Sequence, residues 1–190
     1  AENAQIHAWI ACTYGQAFVR GYLPVADAQA RLRAAAMRAA EVNAADSDSQ
    51  RILCEISLID GDLERALEHH EQAFAINPND PIIVAQRCDI RLLQGLAEEA
   101  LDWGQQALAL DPSCQLRWHY LGMTHYALER YSEAVSAFRR HPGLRATQLA
   151  NYAACHARLG DGVRAAEIAG EVMRSAPGYR IGEYLRTRPY

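Results

Sequence analysis

The sequence predicts an all-α protein, a right-handed solenoid of about five helical hairpins. Residues 47–80 and 81–114 are each 34 residues long and align without a gap. In both segments apolar residues recur at helical spacing, in one stripe and then in a second. A two-helix unit cannot bury its apolar face alone, so successive hairpins are expected to stack on a shared core.

The same residue types recur at the same places in these two segments. Gly61 aligns with Gly95, where a turn between two helices is expected, and Pro78 aligns with Pro112. The residue before a proline is pushed out of the α region, so the Asn-Pro and Asp-Pro pairs predict the end of each second helix. A further unit carries the same pattern with Gly160, Ala165 and Pro177.

The unit at 115–145, which lies between the segment 81–114 and this further unit, is shorter. Pro142 comes four residues early, which predicts a second helix about one turn shorter than in the other units. The sequence "HPG" follows this helix. Two interpretations stay open for it: a tolerated surface deletion, or a bend that contacts a partner.

The unit from 115 also contains a recognisable motif, formed by Trp118, Leu121, Gly122, Ala134 and Phe138. Together with the 34-residue period, this motif resembles the tetratricopeptide repeat (TPR) family, which has W-x2-L-G-x2-Y, then A-x3-F, then P. The unit departs from the family at His125, where the family has tyrosine. The resemblance implies one domain over 1–190, with a divergent first hairpin at 1–46, repeats at 47–80, 81–114, 115–145 and 146–179, and a capping helix at 180–190.

Small residues occupy the eighth position of each repeat, where the two helices are expected to approach most closely. They are Cys54, Cys88, Gly122 and Ala153. We therefore interpret the cysteines as small apolar residues in preference to reactive thiols. The five cysteines are an odd number without CxxC spacing, which favours a reducing, cytoplasmic location over a disulfide framework.

The sequence offers no recognisable catalytic, cofactor or metal site. It contains no lysine, which excludes a P-loop lysine and a Schiff base. His70-Glu71 lacks the second histidine of a zinc-binding HExxH motif, and Cys155 and His156 are expected on different faces of a helix. We therefore expect a protein that is not an enzyme and has neither a cofactor nor a metal ion.

Charge is unevenly distributed along the chain. Residues 1–114 carry 8 Arg and 17 acidic residues, a net of −9, whereas residues 115–190 carry 11 Arg and 6 acidic residues, a net of +5. This asymmetry predicts head-to-tail self-association. Neither part is basic enough to make nucleic acid an expected partner, and no apolar run is long enough to predict a membrane span.

In TPR proteins a groove is lined by fixed positions of the first helix in each repeat. By that resemblance the groove would bind a protein or peptide segment with basic and apolar residues. Of the lysine, asparagine and arginine positions of the family's carboxylate clamp, only Arg51 is a candidate match, so the clamp is absent and chaperone tails are poor candidates. The predicted groove residues are Tyr14, Arg51, Glu55, Leu58, Asp89, Leu92, His119, Met123 and Tyr126.

A weaker resemblance concerns the "YLP" loop and the ending "YRIGEYLRTRPY". These are similar to TPR regions appended to bacterial class III adenylate or guanylate cyclases and to winged-helix regulators. That resemblance implies a regulatory segment of a larger bacterial signalling protein, and hence that this sequence is a piece of a longer chain. The alternative is a free-standing TPR chaperone or assembly scaffold.

The second repeat suggests one local contact. Arg87 and Arg91 lie at core-facing positions, and Gly104 follows Trp103. We expect the indole to lean into the space beside Gly104 and a guanidinium to stack on it, a contact worth about 0.5–2 kcal/mol. Alternatively, both arginines extend past small neighbours to solvent.

Overall fold

A computed structural model of the protein describes residues 2–19, 25–113 and 117–182. Within these ranges the chain is helical and contains no strand, which confirms the predicted all-α class. Most of the predicted capping helix, 183–190, lies outside the described residues, as does 20–24 with its "YLP" sequence. The helices are α1 Ala4–Val19, α2 Val25–Val42, α3 Ser47–Asp60, α4 Leu63–Ile76, α5 Pro81–Leu93, α6 Ala97–Leu110, α7 Trp118–Ala127, α8 Tyr131–Arg140, α9 Ala146–Arg158 and α10 Gly162–Ser175.

The chain divides into two compact units, Ala1–Ile83 and Val84–Tyr190, called the first and second unit below. The division falls inside α5. The assignment of residues 1–190 to one domain therefore stays a prediction. None of the described helices is both long enough and apolar enough to cross a bilayer.

The first unit consists of two hairpins. Helix α1 packs against α2, α3 packs against α4, and α1 also contacts α3. The α1–α2 contact is made largely by small side chains: Ala8, Ala11, Ala36 and Ala39 are fully buried beside Leu32. Alanine at these positions lets the two helices approach closely, so the core of this hairpin contains few large apolar side chains.

The second unit has a core of larger side chains. Each helix from α6 to α10 contacts the next, and α7 also contacts α9. Phe138 and Ile168 are almost fully buried at the centre of this core, together with Cys88 of α5. Cys88 and Cys155 are free thiols, and burial raises the pKa of each to about 12, which agrees with their interpretation as small apolar residues.

The predicted shortening of one second helix is confirmed. Helix α8 has 10 residues, whereas α4, α6 and α10 have 14 each. A difference of four residues is about one helical turn, which keeps the buried face in phase. His141 follows α8 in an extended conformation, and the amide of Gly143 donates to its Nδ1 at 3.2 Å.

The turns inside the hairpins use left-handed backbone. Gly61, Gly95 and Gly160 have φ between 76° and 82°, as expected of glycine at the end of a helix. Glu129 takes the equivalent position in the third repeat and also has a positive φ, of 56°. A side chain in this region costs roughly 1–2 kcal/mol, so the repeat carries local backbone strain at Glu129.

We expect Glu129→Gly to raise the free energy of unfolding by about 0.5–1 kcal/mol, because relief of this strain exceeds the extra chain entropy of glycine. Urea denaturation followed by circular dichroism measures the change. The matched control is Glu133→Gly within α8, which should lower stability by about 1 kcal/mol. Equal destabilisation by both variants would show that the φ of Glu129 carries no strain.

Candidate protein-interaction surface

The nine predicted groove residues fall into two classes in the structure. Six side chains are half-buried and present some surface: Tyr14, Glu55, Leu58, Asp89, His119 and Tyr126. The other three, Arg51, Leu92 and Met123, are buried. A buried side chain cannot contact a partner, so these three would support the surface from beneath.

Arg51 is held inside the first unit by an ion pair. Its Nε lies 3.0 Å from Asp48 Oδ1, and its Nη2 lies 3.1 Å from the sulfur of Cys12. Gln5 Nε2 donates to the second carboxylate oxygen of Asp48 at 3.1 Å. Although burial opposes the charge on the guanidinium, contacts with Cys12 and Asp48 raise the pKa of Arg51 above its usual value. The arginine therefore joins α1 to α3.

Leu92 and Met123 belong to the core of the second unit. Both pack in the cluster that contains Phe138, and Leu92 is only 1% exposed. Asn151 of α9 donates to the sulfur of Met123 at 3.1 Å. Sequence reasoning placed these residues by their repeat positions. It missed that the neighbouring helices of the unit cover both side chains.

Helix α1 exposes apolar residues that the predicted groove set left out. The buried residues of this helix include Ala4, Ala8 and Ala11. Trp9 is 55% exposed and Ile6 is 58% exposed, and they lie on another side of the helix. The signal was present in the sequence, because the small residues at positions 4, 8 and 11 mark the packed face.

The second unit carries a row of aromatic rings on and near α7. The ring of His119 lies 3.8 Å from that of Tyr120 and 5.8 Å, edge-on, from that of His141. Burial, reinforced by Arg145, lowers the pKa of His141, so its imidazole is neutral near pH 7. These contacts connect the segment after α8 to the predicted surface residue His119.

At the other end of α7 the rings of Tyr126 and Tyr131 meet edge-on, 5.9 Å apart between centroids. The guanidinium of Arg158 lies over the ring of Tyr131 at 5.0 Å. These contacts hold Tyr126 in place, which lowers the conformational entropy that it would lose on contacting a partner.

The expected stacking in the second repeat is confirmed. The guanidinium carbon of Arg87 lies 4.9 Å from the centroid of the Trp103 ring. A Cβ at Gly104 would lie 2.7 Å from Leu121 Cδ2 and 3.3 Å from Cys88 Sγ, so Leu121 and Cys88 pack closely against this glycine. The expected contact between the indole and Gly104 stays a prediction.

A shallow pocket of about 280 Å³ lies between α7 and α8, and its walls include Trp118, His125, Glu133 and Arg140. Arg140 covers the Trp118 ring at 4.4 Å. Desolvation by burial lowers the pKa of His125, which leaves it neutral near pH 7. Over the described part of the chain, no three His, Cys, Asp or Glu residues are grouped so as to hold a metal ion.

No protein-family model matches the sequence, and no curated protein matches it. Solved structures do share its fold. TTC0263, a thermophilic TPR protein of Thermus thermophilus, is 16% identical with a TM-score of 0.69, over 95% of this chain and 96% of that one. YrrB, a TPR protein with an unusual peptide-binding site, is 15% identical with a TM-score of 0.56, over 85% and 84%.

A longer structure is also similar. The APC/C hetero-tetramer Cut9-Hcn1 matches with 17% identity and a TM-score of 0.73, over 86% of this chain but only 34% of that chain. The present chain thus spans about a third of that relative. At these identities the likeness shows the fold alone.

Proposed function

Because the chain has the tetratricopeptide-repeat fold, we propose that it is a non-catalytic protein-interaction module. It would bind a peptide or partner segment on the first helices of its hairpins. The observation that carries this proposal is that the first helices of each unit present half-buried aromatic and acidic side chains, Tyr14 and Glu55 in the first unit and Asp89, His119 and Tyr126 in the second. YrrB, which has the same fold, is described as having a peptide-binding site.

The candidate surface of the first unit is acidic. Residues 1–83 contain 12 acidic residues and 6 Arg, a net of −6. Glu55 and Leu58 lie half-buried on α3, and the ring of Tyr14 on α1 has the guanidinium of Arg31 at 5.8 Å from its centroid. An acidic side chain beside apolar ones favours a partner segment that combines basic and apolar residues.

The candidate surface of the second unit is richer in aromatic side chains. His119 and Tyr126 lie half-buried on α7, and Asp89 lies half-buried on α5. Aromatic side chains contribute a large contact area at low cost in entropy, so they are common anchors in interfaces. Leu92 and Met123 would hold α5 and α7 in place from the core of this unit, without contacting the partner. Arg51 would support α3 in the first unit in the same way.

A phage-displayed library of random peptides tests this proposal. We expect the selected peptides to combine arginine or lysine with apolar residues, and Glu55→Arg to weaken their binding about tenfold or more. Asp89→Arg should do the same for peptides that bind the second unit. Isothermal titration calorimetry measures both effects.

The control variants are Glu64→Arg on α4 and Glu171→Arg on α10, because both residues are exposed on second helices. They make the same change of charge and should leave the affinity within about twofold. A loss of affinity as large as that of Glu55→Arg would mean that net charge, and not the proposed surface, attracts the peptide.

We also propose that this module is a regulatory part of a larger bacterial signalling protein, and not a free-standing chaperone or scaffold. The support is the resemblance of the "YLP" loop and of the sequence ending to regions appended to cyclases and winged-helix regulators. The complete open reading frame tests this. A cyclase or winged-helix domain in the same frame is expected, and a frame limited to the helical repeats would contradict the proposal.

A further inference from the structure

Three exposed apolar residues form one patch on α1. Ile6 and Trp9 are more than half exposed, and Ile10, one turn from Ile6, is 39% exposed. Their i, i+3 and i+4 spacing places them side by side on one face of the helix. All three are among the exposed large apolar residues of the part of the chain that the structure describes. Single exposed apolar residues are ordinary, but a contiguous group that includes a tryptophan marks an interaction site.

The surroundings of the patch restrict what can cover it. Over its 16 residues, α1 contains no aspartate, glutamate or arginine. A charged partner segment would have to lose water from its charges without finding an opposite charge on this helix. Helix α7 is also free of these residues, but no large apolar residue on it is exposed to a similar degree. The uncharged apolar face thus selects a partner that is itself uncharged and apolar.

We infer that the occupant is a second copy of this chain, docked through α1 in a two-fold symmetric dimer. In such a contact the uncharged apolar face of one α1 meets the same face of its partner, so neither helix has to bury a charge. Trp9 would lie near the centre, where a buried tryptophan contributes most to affinity.

The patch is small for a stable dimer. A buried tryptophan side chain covers roughly 150–250 Å², and about half of Trp9 is exposed and can still be buried by a partner. The two isoleucines add to this area. A standard interface buries about 800 Å² on each partner. The dimer should therefore be weak and depend on concentration. This contact differs from head-to-tail association driven by charge, because salt weakens an electrostatic contact but leaves an apolar one intact.

Sedimentation equilibrium of the chain over a wide concentration range, at low and high salt, tests the inference. We expect reversible dimers whose dissociation constant is not raised by salt, and Trp9→Glu should raise that constant at least tenfold. Ile6→Gln, a milder change at an exposed site, should also weaken the dimer. Val163→Glu on α10 is the control, since Val163 is exposed but lies in the second unit, and it should leave the dimer unchanged.

Circular dichroism establishes that each variant is folded. A monomer at every concentration would overturn the inference, as would a dimer that survives both Trp9→Glu and Ile6→Gln. Dimers that dissociate at high salt and respond to neither α1 variant would assign the association to the charge asymmetry instead.

Discussion

Replacing Asp48 with alanine is expected to lower the free energy of unfolding by about 3 kcal/mol. Asp48 and Arg51 both lie on α3, are almost fully buried and form a 3.0 Å ion pair. Asp48 also contacts Gln5 of α1, and Arg51 contacts Cys12 of α1. Removing the carboxylate breaks a buried ion pair, which costs about 3–5 kcal/mol in comparable sites. Because Asp48 keeps a small exposed fraction, we expect a loss of stability at the lower end of this range.

Two control variants separate this effect from a general loss of charge. Arg38→Ala removes two exposed pairs, with Glu41 at 2.8 Å and with Glu2, and should cost less than about 1 kcal/mol. The double variant Asp48→Leu with Arg51→Met removes both charges and should recover most of the loss. Chemical denaturation measures all three. A cost for Asp48→Ala no larger than that for Arg38→Ala would show that the buried pair does not hold α1 to α3.

Adding a single methyl group at Gly122 is expected to destabilise the second unit by about 1–3 kcal/mol. A Cβ there would lie 2.6 Å from Cε1 and 2.7 Å from Cδ1 of Phe138. Phe138 is almost fully buried and packs against the ring of Tyr152, with 6.0 Å between centroids, so it has little space to move. Gly122→Ala therefore overpacks the contact between α7 and α8 despite the better helix propensity of alanine.

The control is Gly162→Ala in α10, where a Cβ would meet nothing within 4 Å. That variant should be neutral or should gain up to about 1 kcal/mol, because alanine favours the helix. Thermal denaturation compares the two. If Gly122→Ala is as stable as Gly162→Ala, the close approach of α7 and α8 does not require glycine.

Much of the fold could be predicted because its signals are periodic. The 34-residue period and the early Pro142 predicted the repeated hairpins and the shorter α8. The left-handed backbone at Glu129 was harder to predict, because the sequence has glutamate where the other repeats have glycine. Only the alignment of that position with Gly61 indicated the turn. The low propensity of glutamate for left-handed backbone argued against it.

The candidate surface was less predictable, because exposure depends on neighbours that are distant in the sequence. Repeat position alone gave Leu92 and Met123 as surface residues, but the core around Phe138 covers both. For the same reason the stacking of Arg87 on Trp103 was predictable from residue types, whereas the occupant of the space beside Gly104 was not. Leu121 belongs to another hairpin, so its contact with Gly104 depends on how the two hairpins pack together.

The most direct test of the central proposal is amide hydrogen exchange of the chain, alone and with a peptide selected from the random library. The proposal predicts slower exchange with peptide in α3 or α7, which are first helices of hairpins, and unchanged exchange in α4 and α8. Slower exchange confined to α4, α6 or α8 would contradict it, because the partner would then bind the second helices.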